Sequence, residues 1–274
     1  MSSETGRIDP GMARGFDAWA DEYDRFRPGY PDEVFETIAA RLLLPRIPAV
    51  VDLGAGTGRA SLAMAALGWR VTAVEPGKPM LELLRNRAAD EGLLVSTMQA
   101  NAESTGLDPT SVDLVTAAQA FHWFDKQETL AEIARILRPG GGLALFWNVR
   151  DAERSAFLAD YAELLRRSTG SPDDPGIGRY EGGGQEETRR ALEAAAGFEA
   201  PELITLHHEV EMTDEEFMGM AFTASYVRAG MSPEGQDRFR LDLAALLGRH
   251  GLSDGRLFPV PYRIDLWIAR RSGA

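Results

Sequence analysis

A glycine-rich turn directly after a short apolar run is the part of this sequence best suited to bind a ligand. Residues 50–53 predict a buried strand, and glycine then occupies positions 54, 56 and 58. Glycine permits a tight turn, and the missing Cβ lets backbone N–H groups approach a ligand closely. The pattern therefore predicts a ligand site at the end of this strand.

The spacing of these glycines separates the turn from two common nucleotide motifs. A dinucleotide-binding G-x-G-x-x-G pattern that starts at Gly54 requires glycine at position 59, where this chain has Arg59. The turn also lacks the Gly-Lys-Ser/Thr sequence of a phosphate-binding P-loop. Asp52 adds a negative charge beside the turn, which opposes a pyrophosphate and suits a cationic ligand.

Glu75 ends the next predicted strand, 17 residues after Gly58. In nucleotide-binding folds a carboxylate at this place accepts hydrogen bonds from both ribose hydroxyls, because the two strand ends lie side by side. Glu75 therefore indicates a ligand that contains a ribose but no phosphate groups. The alternative is that Glu75 is simply a solvent-exposed acidic residue at the end of a strand.

The amino-acid composition argues against several kinds of binding partner and catalytic chemistry. The 274 residues include 42 acidic and 29 basic side chains, a net charge of -13, and such a surface repels phosphate backbones. The absence of cysteine removes disulfides and thiolate chemistry and fits a cytoplasmic protein. The four histidines lack a metal-binding spacing, so we expect no metal. We expect no nucleic acid partner.

Membrane association is also not expected. No stretch without Asp, Glu, Lys or Arg exceeds 11 residues, which is too short to span a bilayer. The first seven residues lack the basic and apolar segments of a secretory signal.

Alternating apolar runs and amphipathic stretches predict an α/β fold with a mostly parallel sheet. The predicted strands are residues 49–53, 70–74, 94–99, 112–117, 142–147, 203–212 and 261–269. The predicted helices are residues 59–67, 78–90, 126–137, 153–167, 186–196, 214–223 and 233–249. A breaker run of Pro and Gly at 138–142 ends the third helix, and residues 168–184 predict a surface loop.

Several of these motifs together resemble the class I S-adenosylmethionine-dependent methyltransferases. The resemblance covers about residues 10–150 and rests on Asp52-x-Gly54-x-Gly56-x-Gly58, Glu75, Asn101-Ala102-Glu103, Asp113, Gln119-Ala120-Phe121-His122-Trp123-Phe124 and Leu137-Arg138-Pro139-Gly140-Gly141. The aromatic run, Tyr23 and Arg27-Pro28-Gly29-Tyr30-Pro31 are most similar to the small-molecule branch that includes trans-aconitate methyltransferase-like proteins.

The resemblance implies a Rossmann-like, mostly parallel seven-stranded sheet with helices on both faces. Residues 1–45 would form an N-terminal helical arm or lid, and residues 46–150 the S-adenosylmethionine-binding core. Residues 151–274 would complete the sheet, with helical insertions that form a lid over the acceptor pocket. We expect a monomer or homodimer that methylates a small molecule, most readily on a carboxylate or hydroxyl oxygen, and releases S-adenosylhomocysteine. The alternative is a protein that binds this cofactor without methyl transfer, as a partner subunit or to assist a rearrangement.

The resemblance also implies a set of cofactor-binding residues. Gly54, Ala55 and Gly56 would line the methionine part, Glu75 the ribose, and Pro76 and Met80 the adenine. Arg27 could pair with the cofactor carboxylate, and a surface salt bridge is the equal alternative. The full set is Tyr23, Arg27, Asp52, Gly54, Ala55, Gly56, Thr57, Glu75, Pro76, Met80, Asn101, Ala102, Glu103, Gln119, Ala120 and Phe121.

His122 is the candidate catalytic residue, because an imidazole near neutral pH can remove a proton from an acceptor. A packed wall residue among aromatic neighbours is the alternative, and a carboxylate acceptor would need no base. The candidate substrate residues are Trp19, His122, Trp123, Trp147, Asn148, Arg150, Phe222, Tyr226 and Arg263, although core packing could equally explain the aromatic ones. Arg150 and Arg263 together would recognise an acidic acceptor. His207 and His208 are adjacent on a predicted strand and must face opposite sides.

Overall fold

The structure is a computed structural model that describes residues 25–169, 184–228 and 230–273. Trp19 and Tyr23 lie outside the described residues, as do most of the predicted loop at 168–184 and the arm before residue 25.

Helices and strands alternate through the first half of the described chain. The strands are β1 Ala49–Leu53, β2 Arg70–Val74, β3 Val95–Met98, β4 Val112–Ala118, β5 Leu137–Arg150, β6 Glu202–Met212 and β7 Phe258–Arg270. The helices are α1 Asp32–Leu42, α2 Arg59–Ala66, α3 Lys78–Asp90, α4 Lys126–Ile136, α5 Ala156–Thr169, α6 Gly184–Ala194, α7 Asp214–Phe222, α8 Ser225–Arg228 and α9 Pro233–Arg249. A short 3-10 turn, Phe121–Trp123, joins β4 to α4.

The strands form one seven-stranded sheet in the order β3-β2-β1-β4-β5-β7-β6. The first five pair in parallel, whereas β7 runs antiparallel to both β5 and β6. This arrangement confirms the predicted α/β fold with a mostly parallel sheet. Because β1, β2, β4 and β5 are parallel, the loops that follow them meet at one edge of the sheet, called the carboxyl edge below.

Strand β5 begins earlier than the sequence predicts. Leu137 already pairs with Val112, and the pairing then shifts so that Gly142 lies opposite Leu114. The breaker residues between them form an exposed irregularity, with Gly140 at φ 77°. A Cβ at Gly141 would lie 2.9 Å from the Arg138 carbonyl oxygen, so glycine is required where the chain rejoins the sheet.

Two apolar clusters cover the sheet, because successive side chains of a strand point to opposite faces. One cluster joins Val51, Val115 and Leu145 to residues of α4 and α6. The other joins Val50 and Phe146 to residues of α1 and α2.

A third cluster lies in the helices inserted around the last two strands. Helices α5, α7, α8 and α9, called the helical cap below, pack against the end of β6 and the start of β7. Aromatic rings dominate this cluster, and Phe157 contacts Phe217 edge to face with ring centroids 4.8 Å apart. The cap thus has its own core, which holds its helices in place beside the sheet.

Among the described helices, none has the length and apolar character needed to cross a membrane.

Candidate active site

The glycine turn after β1 has the backbone conformation that its sequence predicts. Gly54, Gly56 and Gly58 have φ values of 64°, 55° and 91°, in the left-handed region that favours glycine. The N–H groups of Gly54 and Ala55 donate to the Val74 carbonyl oxygen at 2.9 and 3.1 Å, which ties the turn to the end of β2. A Cβ at Gly56 would have no described atom within 4 Å, so this glycine faces open space.

Glu75 connects the two turns at the ends of β1 and β2. One carboxylate oxygen accepts the N–H of Gly56 at 3.0 Å, and the other accepts the N–H of Gly77 at 2.9 Å. Each carboxylate oxygen can accept a further hydrogen bond. Glu75 is therefore held in a fixed position at the cavity wall.

Asp52 lies beneath the same turn and is buried. Its carboxylate accepts hydrogen bonds from the Ser61 hydroxyl at 2.6 Å and the Thr116 hydroxyl at 2.8 Å. Burial raises the pKa of Asp52 to about 6, and the two hydroxyls partly oppose this shift. At neutral pH the group is still ionised, so it places a negative charge at the base of the site.

A cavity of about 240 Å³ opens at the carboxyl edge, between the glycine turn and the helical cap. Most of the predicted cofactor residues line it: Arg27, Asp52, Gly54, Ala55, Gly56, Thr57, Glu75, Pro76, Met80, Gln119 and Ala120. Sequence reasoning missed several other lining residues, namely Pro28, Tyr30, Arg59, Ala60, Ala118, Phe124, Met220, Ser225 and Tyr262. The Gln-Ala-Phe-His-Trp-Phe run was a signal for Phe124, whereas the cap residues carried none.

Four of the predicted cofactor residues, Asn101, Ala102, Glu103 and Phe121, are not among the residues that line the cavity. Ala102 is buried, and Asn101 forms an isolated bridge with Ser104. Glu103 accepts the N–H of Asp125 at 2.9 Å, which fixes the start of α4. Phe121 is fully buried, and its ring packs edge to face on Phe124 at 6.2 Å. These four residues contribute to the loops around the cavity rather than to its surface.

The structure separates two arginines that sequence reasoning placed together. Arg150 lies opposite Tyr262 in the β5–β7 pairing, whereas Arg263 lies opposite Val149. Neighbouring positions along a strand point to opposite faces, so only Arg150 reaches the cavity. Arg263 instead pairs with Asp265, from which its Nε is 2.7 Å away. The expectation that both arginines together face one acceptor is therefore wrong, because Arg263 does not reach the cavity.

Two aromatic candidates for substrate contact also lie elsewhere. Phe222 packs on Phe239 within the cap, and the Arg240 guanidinium covers its ring at 4.1 Å. Trp147 points to the opposite face of the sheet, where it lines a second cavity of about 30 Å³ with Gln185 and others. Of the described candidates, those that line the main cavity are His122, Trp123, Asn148, Arg150 and Tyr226.

His122 receives a hydrogen bond that fixes the tautomer of its neutral ring. The Trp147 indole Nε1 donates to His122 Nδ1 at 3.3 Å. An indole nitrogen can only donate, so Nδ1 carries the lone pair and the neutral ring carries its hydrogen on Nε2. This geometry favours a hydrogen-bonding wall residue over the general base that the sequence suggested.

The helical cap holds two of the three described arginines that line the cavity, Arg150 and Arg27. Arg150 donates from Nη2 to the Tyr226 hydroxyl at 2.8 Å, and its guanidinium lies over the Tyr161 ring at 4.9 Å. Arg27 donates from Nε to the Thr223 hydroxyl at 3.0 Å. Two positive charges are thus held at defined places around the cavity.

Residues 25–30, called the N-terminal strap below, cross the carboxyl edge beside the cavity. The Phe26 ring occupies the space beside Gly219, where a Cβ would lie 2.6 Å from it. Tyr30 packs edge to face on Phe146 at 4.8 Å, and the Gly29 carbonyl oxygen accepts from Asn148 Nδ2 at 2.9 Å. The strap therefore contacts both the cap and the sheet.

Comparison with known proteins relates the central part of this chain to a known family. Residues 51–145 match the family model described as "Methyltransferase domain". This central part of the chain is therefore similar to a methyltransferase domain. An uncharacterized methyltransferase of Mycobacterium tuberculosis is 40% identical over 156 residues, which are 57% of this chain and 60% of the relative. One of Schizosaccharomyces pombe is 32% identical over 162 residues, or 59% of this chain and 62% of the relative. The chain thus spans about three fifths of the length of these curated relatives.

Solved structures share the fold of this chain. A protein from Anaeromyxobacter dehalogenans, described as "a Putative Type II Methyltransferase", superposes with a TM-score of 0.67 at 29% identity, covering 91% of this chain and all of that one. Haemonchus contortus phosphoethanolamine N-methyltransferase 2, in complex with phosphomonomethylethanolamine and S-adenosylhomocysteine, has a TM-score of 0.54 at 18% identity. That likeness covers 93% of this chain and 57% of the other, and it shows a common fold.

The cavity also fits the cofactor of such a domain. Gly56 leaves open space where any other residue would place a Cβ, and Glu75 presents both carboxylate oxygens beside it. The domain match and this geometry together support S-adenosylmethionine as the cofactor.

Proposed function

We propose that this protein is an S-adenosylmethionine-dependent methyltransferase that methylates an oxygen atom of a small-molecule acceptor. The observation that carries the proposal is a single cavity with two chemically different ends. The glycine turn and Glu75 form one end, and Arg150 with Tyr226 forms the other. When bound, the cofactor supplies an already activated methyl group, so the protein mainly has to align the acceptor and exclude water.

The residues at the first end would hold the cofactor. Glu75 would accept the two ribose hydroxyls, and Pro76 and Met80 would pack against the adenine. Arg27 would pair with the cofactor carboxylate, because its guanidinium lines the cavity and the cap holds it in place. The negative charge of Asp52 would lie below the cationic part of the cofactor.

A carboxylate acceptor is favoured over a hydroxyl acceptor by two features of the second end. Arg150 places a guanidinium on the cavity wall, which suits a carboxylate. Because His122 Nδ1 accepts from Trp147, the neutral ring has its hydrogen on Nε2 and no lone pair there with which to take a proton from an acceptor hydroxyl. A carboxylate reaches the site without its proton and needs no base, whereas a hydroxyl requires one.

The proposal extends to family branch and chain organisation. The run from Gln119 to Phe124 supports the branch of trans-aconitate methyltransferase-like proteins. Residues 1–45 would act as arm and lid, residues 46–150 as cofactor-binding core, and residues 151–274 as the remaining sheet and acceptor pocket. We propose a cytoplasmic monomer or homodimer.

Formation of S-adenosylhomocysteine with a panel of acceptors tests this function. The panel pairs small carboxylic acids with their neutral amides and with alcohols of similar shape. We expect product with acids and little with amides. Equal rates for an acid and its amide would contradict carboxylate recognition. Cofactor binding without any product across the panel would instead support the alternative without methyl transfer.

The Arg150→Gln variant tests the role of Arg150 in the same assay. Loss of a charged hydrogen bond should raise KM for the acid roughly 10- to 100-fold with a smaller effect on kcat. Arg154→Gln is the control, because Arg154 is an exposed arginine 3.9 Å from Glu209. The free energy of unfolding of both variants is measured as well, to exclude the possibility that the substitution unfolds the helical cap.

A further inference from the structure

His208 does not line the main cavity, but it contacts a residue that does. His208, on β6, places Nε2 2.9 Å from the side-chain oxygen of Asn148. Its ring also stacks on Tyr262, with ring centroids 5.5 Å apart. Asn148 and Tyr262 both line the main cavity, so His208 contacts the back of its wall.

The hydrogen bonds of Asn148 settle the direction of this contact. Asn148 Nδ2 donates to the Gly29 carbonyl oxygen at 2.9 Å, so its Oδ1 faces His208 and can only accept. His208 Nε2 therefore carries the hydrogen. The Asn148 backbone carbonyl oxygen accepts from Gln119 Nε2 at 2.9 Å. Asn148 is thus bonded on three sides, to the strap, to β6 and to the turn after β4.

The contact is available in the neutral form of the ring. Burial lowers the pKa of His208, so at neutral pH the ring holds one hydrogen, which the Asn148 contact assigns to Nε2. If His208 were removed, Asn148 would lose the partner that orients its amide group. The Asn148–Gly29 hydrogen bond and the strap would then be held less firmly.

We propose that His208 is a positioning residue that, through Asn148, holds the N-terminal strap against the cavity. The expected effect on cofactor binding rests on the proposed function, because Arg27 and Tyr30 of the strap line the cavity in which the cofactor would bind. It does not make His208 a catalytic residue. Its expected effect is on binding and on the order of the strap.

The neighbouring histidine provides a matched control. His207 precedes His208 on β6 and points to the opposite face, where its Nδ1 lies 3.1 Å from Asp151. A His207→Ala variant therefore removes an imidazole from the same strand, together with its contact to Asp151, and leaves the contact between His208 and Asn148 in place. A general weakening of β6 would affect both variants, whereas positioning would affect only His208.

The experiment compares the full-length wild-type protein with His208→Ala, His208→Gln and His207→Ala. Hydrogen exchange of residues 25–30 reports on the strap, and calorimetry with S-adenosylhomocysteine reports on the cofactor site. We expect His208→Ala to raise exchange in the strap and to weaken binding about fivefold, the effect of losing one neutral hydrogen bond. His208→Gln should restore most of both, because its amide N–H reaches a similar position. His207→Ala should leave both unchanged.

Two results would overturn the inference: unchanged strap exchange in His208→Ala, or equal effects of the His207 and His208 variants. If His208→Ala does not fold, His208→Gln and Asn148→Asp replace it. Asn148→Asp keeps an acceptor for His208 but removes the donor to Gly29. It should therefore raise hydrogen exchange in the strap, as His208→Ala would. Unchanged strap exchange in Asn148→Asp would also contradict the positioning role of His208. Failure of the wild-type protein to bind S-adenosylhomocysteine would count against the proposed function instead, and the exchange measurement would still judge His208.

Discussion

Asp52 and Glu75 are carboxylates at the ends of neighbouring strands, but their surroundings give them different roles. Asp52 is buried and bonded to two hydroxyls, whereas Glu75 is partly exposed to the cavity and bonded to two backbone N–H groups. Asp52 therefore has a raised pKa, whereas Glu75 holds the two turns together and lines the cavity. One variant tests each role.

Replacing Glu75 with glutamine should weaken S-adenosylhomocysteine binding. The amide can accept one of the two backbone N–H bonds, but its NH₂ group faces the other donor. Loss of charge-assisted hydrogen bonds is expected to cost roughly 10- to 100-fold in affinity, measured by calorimetry. Glu82→Gln on α3 is the control, because this exposed carboxylate pairs only loosely with Lys78 at 3.6 Å. Equal affinities of Glu75→Gln and wild type would contradict the assignment to the ribose.

Asp52 should make the stability of the wild-type protein depend on pH. Its pKa is raised from 3.8 to about 6 in the folded chain, so between these values the folded state binds more protons than the unfolded state. The free energy of unfolding should therefore fall as pH rises through this window, by about 3 kcal/mol in total. Asp52→Asn does not titrate and should lose most of this fall. Urea unfolding from pH 4 to pH 8 measures both slopes, and parallel slopes would contradict the prediction.

At the level of elements, the glycine turn has to pack closely against the neighbouring loop and also leave space for a ligand. Gly54 meets the first requirement and Gly56 the second. Gly54 has no room for a side chain, since a Cβ would lie 2.7 Å from the Ala120 Cβ. Gly56 has room but faces the cavity. The first glycine allows β1 and β4 to bring their loops together, and the second leaves space for a ligand.

Alanine at each of these positions should therefore have a different effect. Both substitutions force alanine into the left-handed region, at a cost of about 1 kcal/mol. Gly54→Ala adds overlap with Ala120 and Phe124 and should cost about 1–3 kcal/mol more in unfolding free energy. Gly56→Ala should cost little stability yet weaken S-adenosylhomocysteine binding more than tenfold. Chemical unfolding and calorimetry on the same samples check this; a reversed order of the two stabilities would refute the packing argument.

The sequence was most informative where local pattern and fold agree. β1, β2, α3 and α9 begin and end at the predicted residues, because apolar periodicity and turn residues coincide there. It failed where long-range pairing decides the outcome. The register of β5 against β7 places Tyr262 opposite Arg150 and sends Arg263 to the other face. Met220 and Ser225 reach the cavity only because the cap folds over it. No local pattern in a single sequence encodes these placements.

At the level of the whole molecule, the net charge of -13 acts together with Asp52 and Glu75 at the site. A negative protein attracts a cation over distances comparable to the Debye length, and it has no such effect on a neutral ligand. S-adenosylmethionine differs from S-adenosylhomocysteine by the methyl group on sulfur and by the positive charge that this group creates. Only the charge should respond to ionic strength. Their comparison therefore isolates the electrostatic contribution.

Raising the ionic strength should weaken binding of S-adenosylmethionine more than binding of S-adenosylhomocysteine. Between roughly 0.05 M and 0.5 M salt, screening removes most of the long-range attraction, so we expect the ratio of the two affinities to change a few-fold. Calorimetry of both ligands over this range measures the ratio. Because local contacts to Asp52 are screened less than the surface charge, some preference should persist at high salt. Identical salt dependence of the two ligands would show that the acidic surface serves solubility alone and does not favour the cationic cofactor.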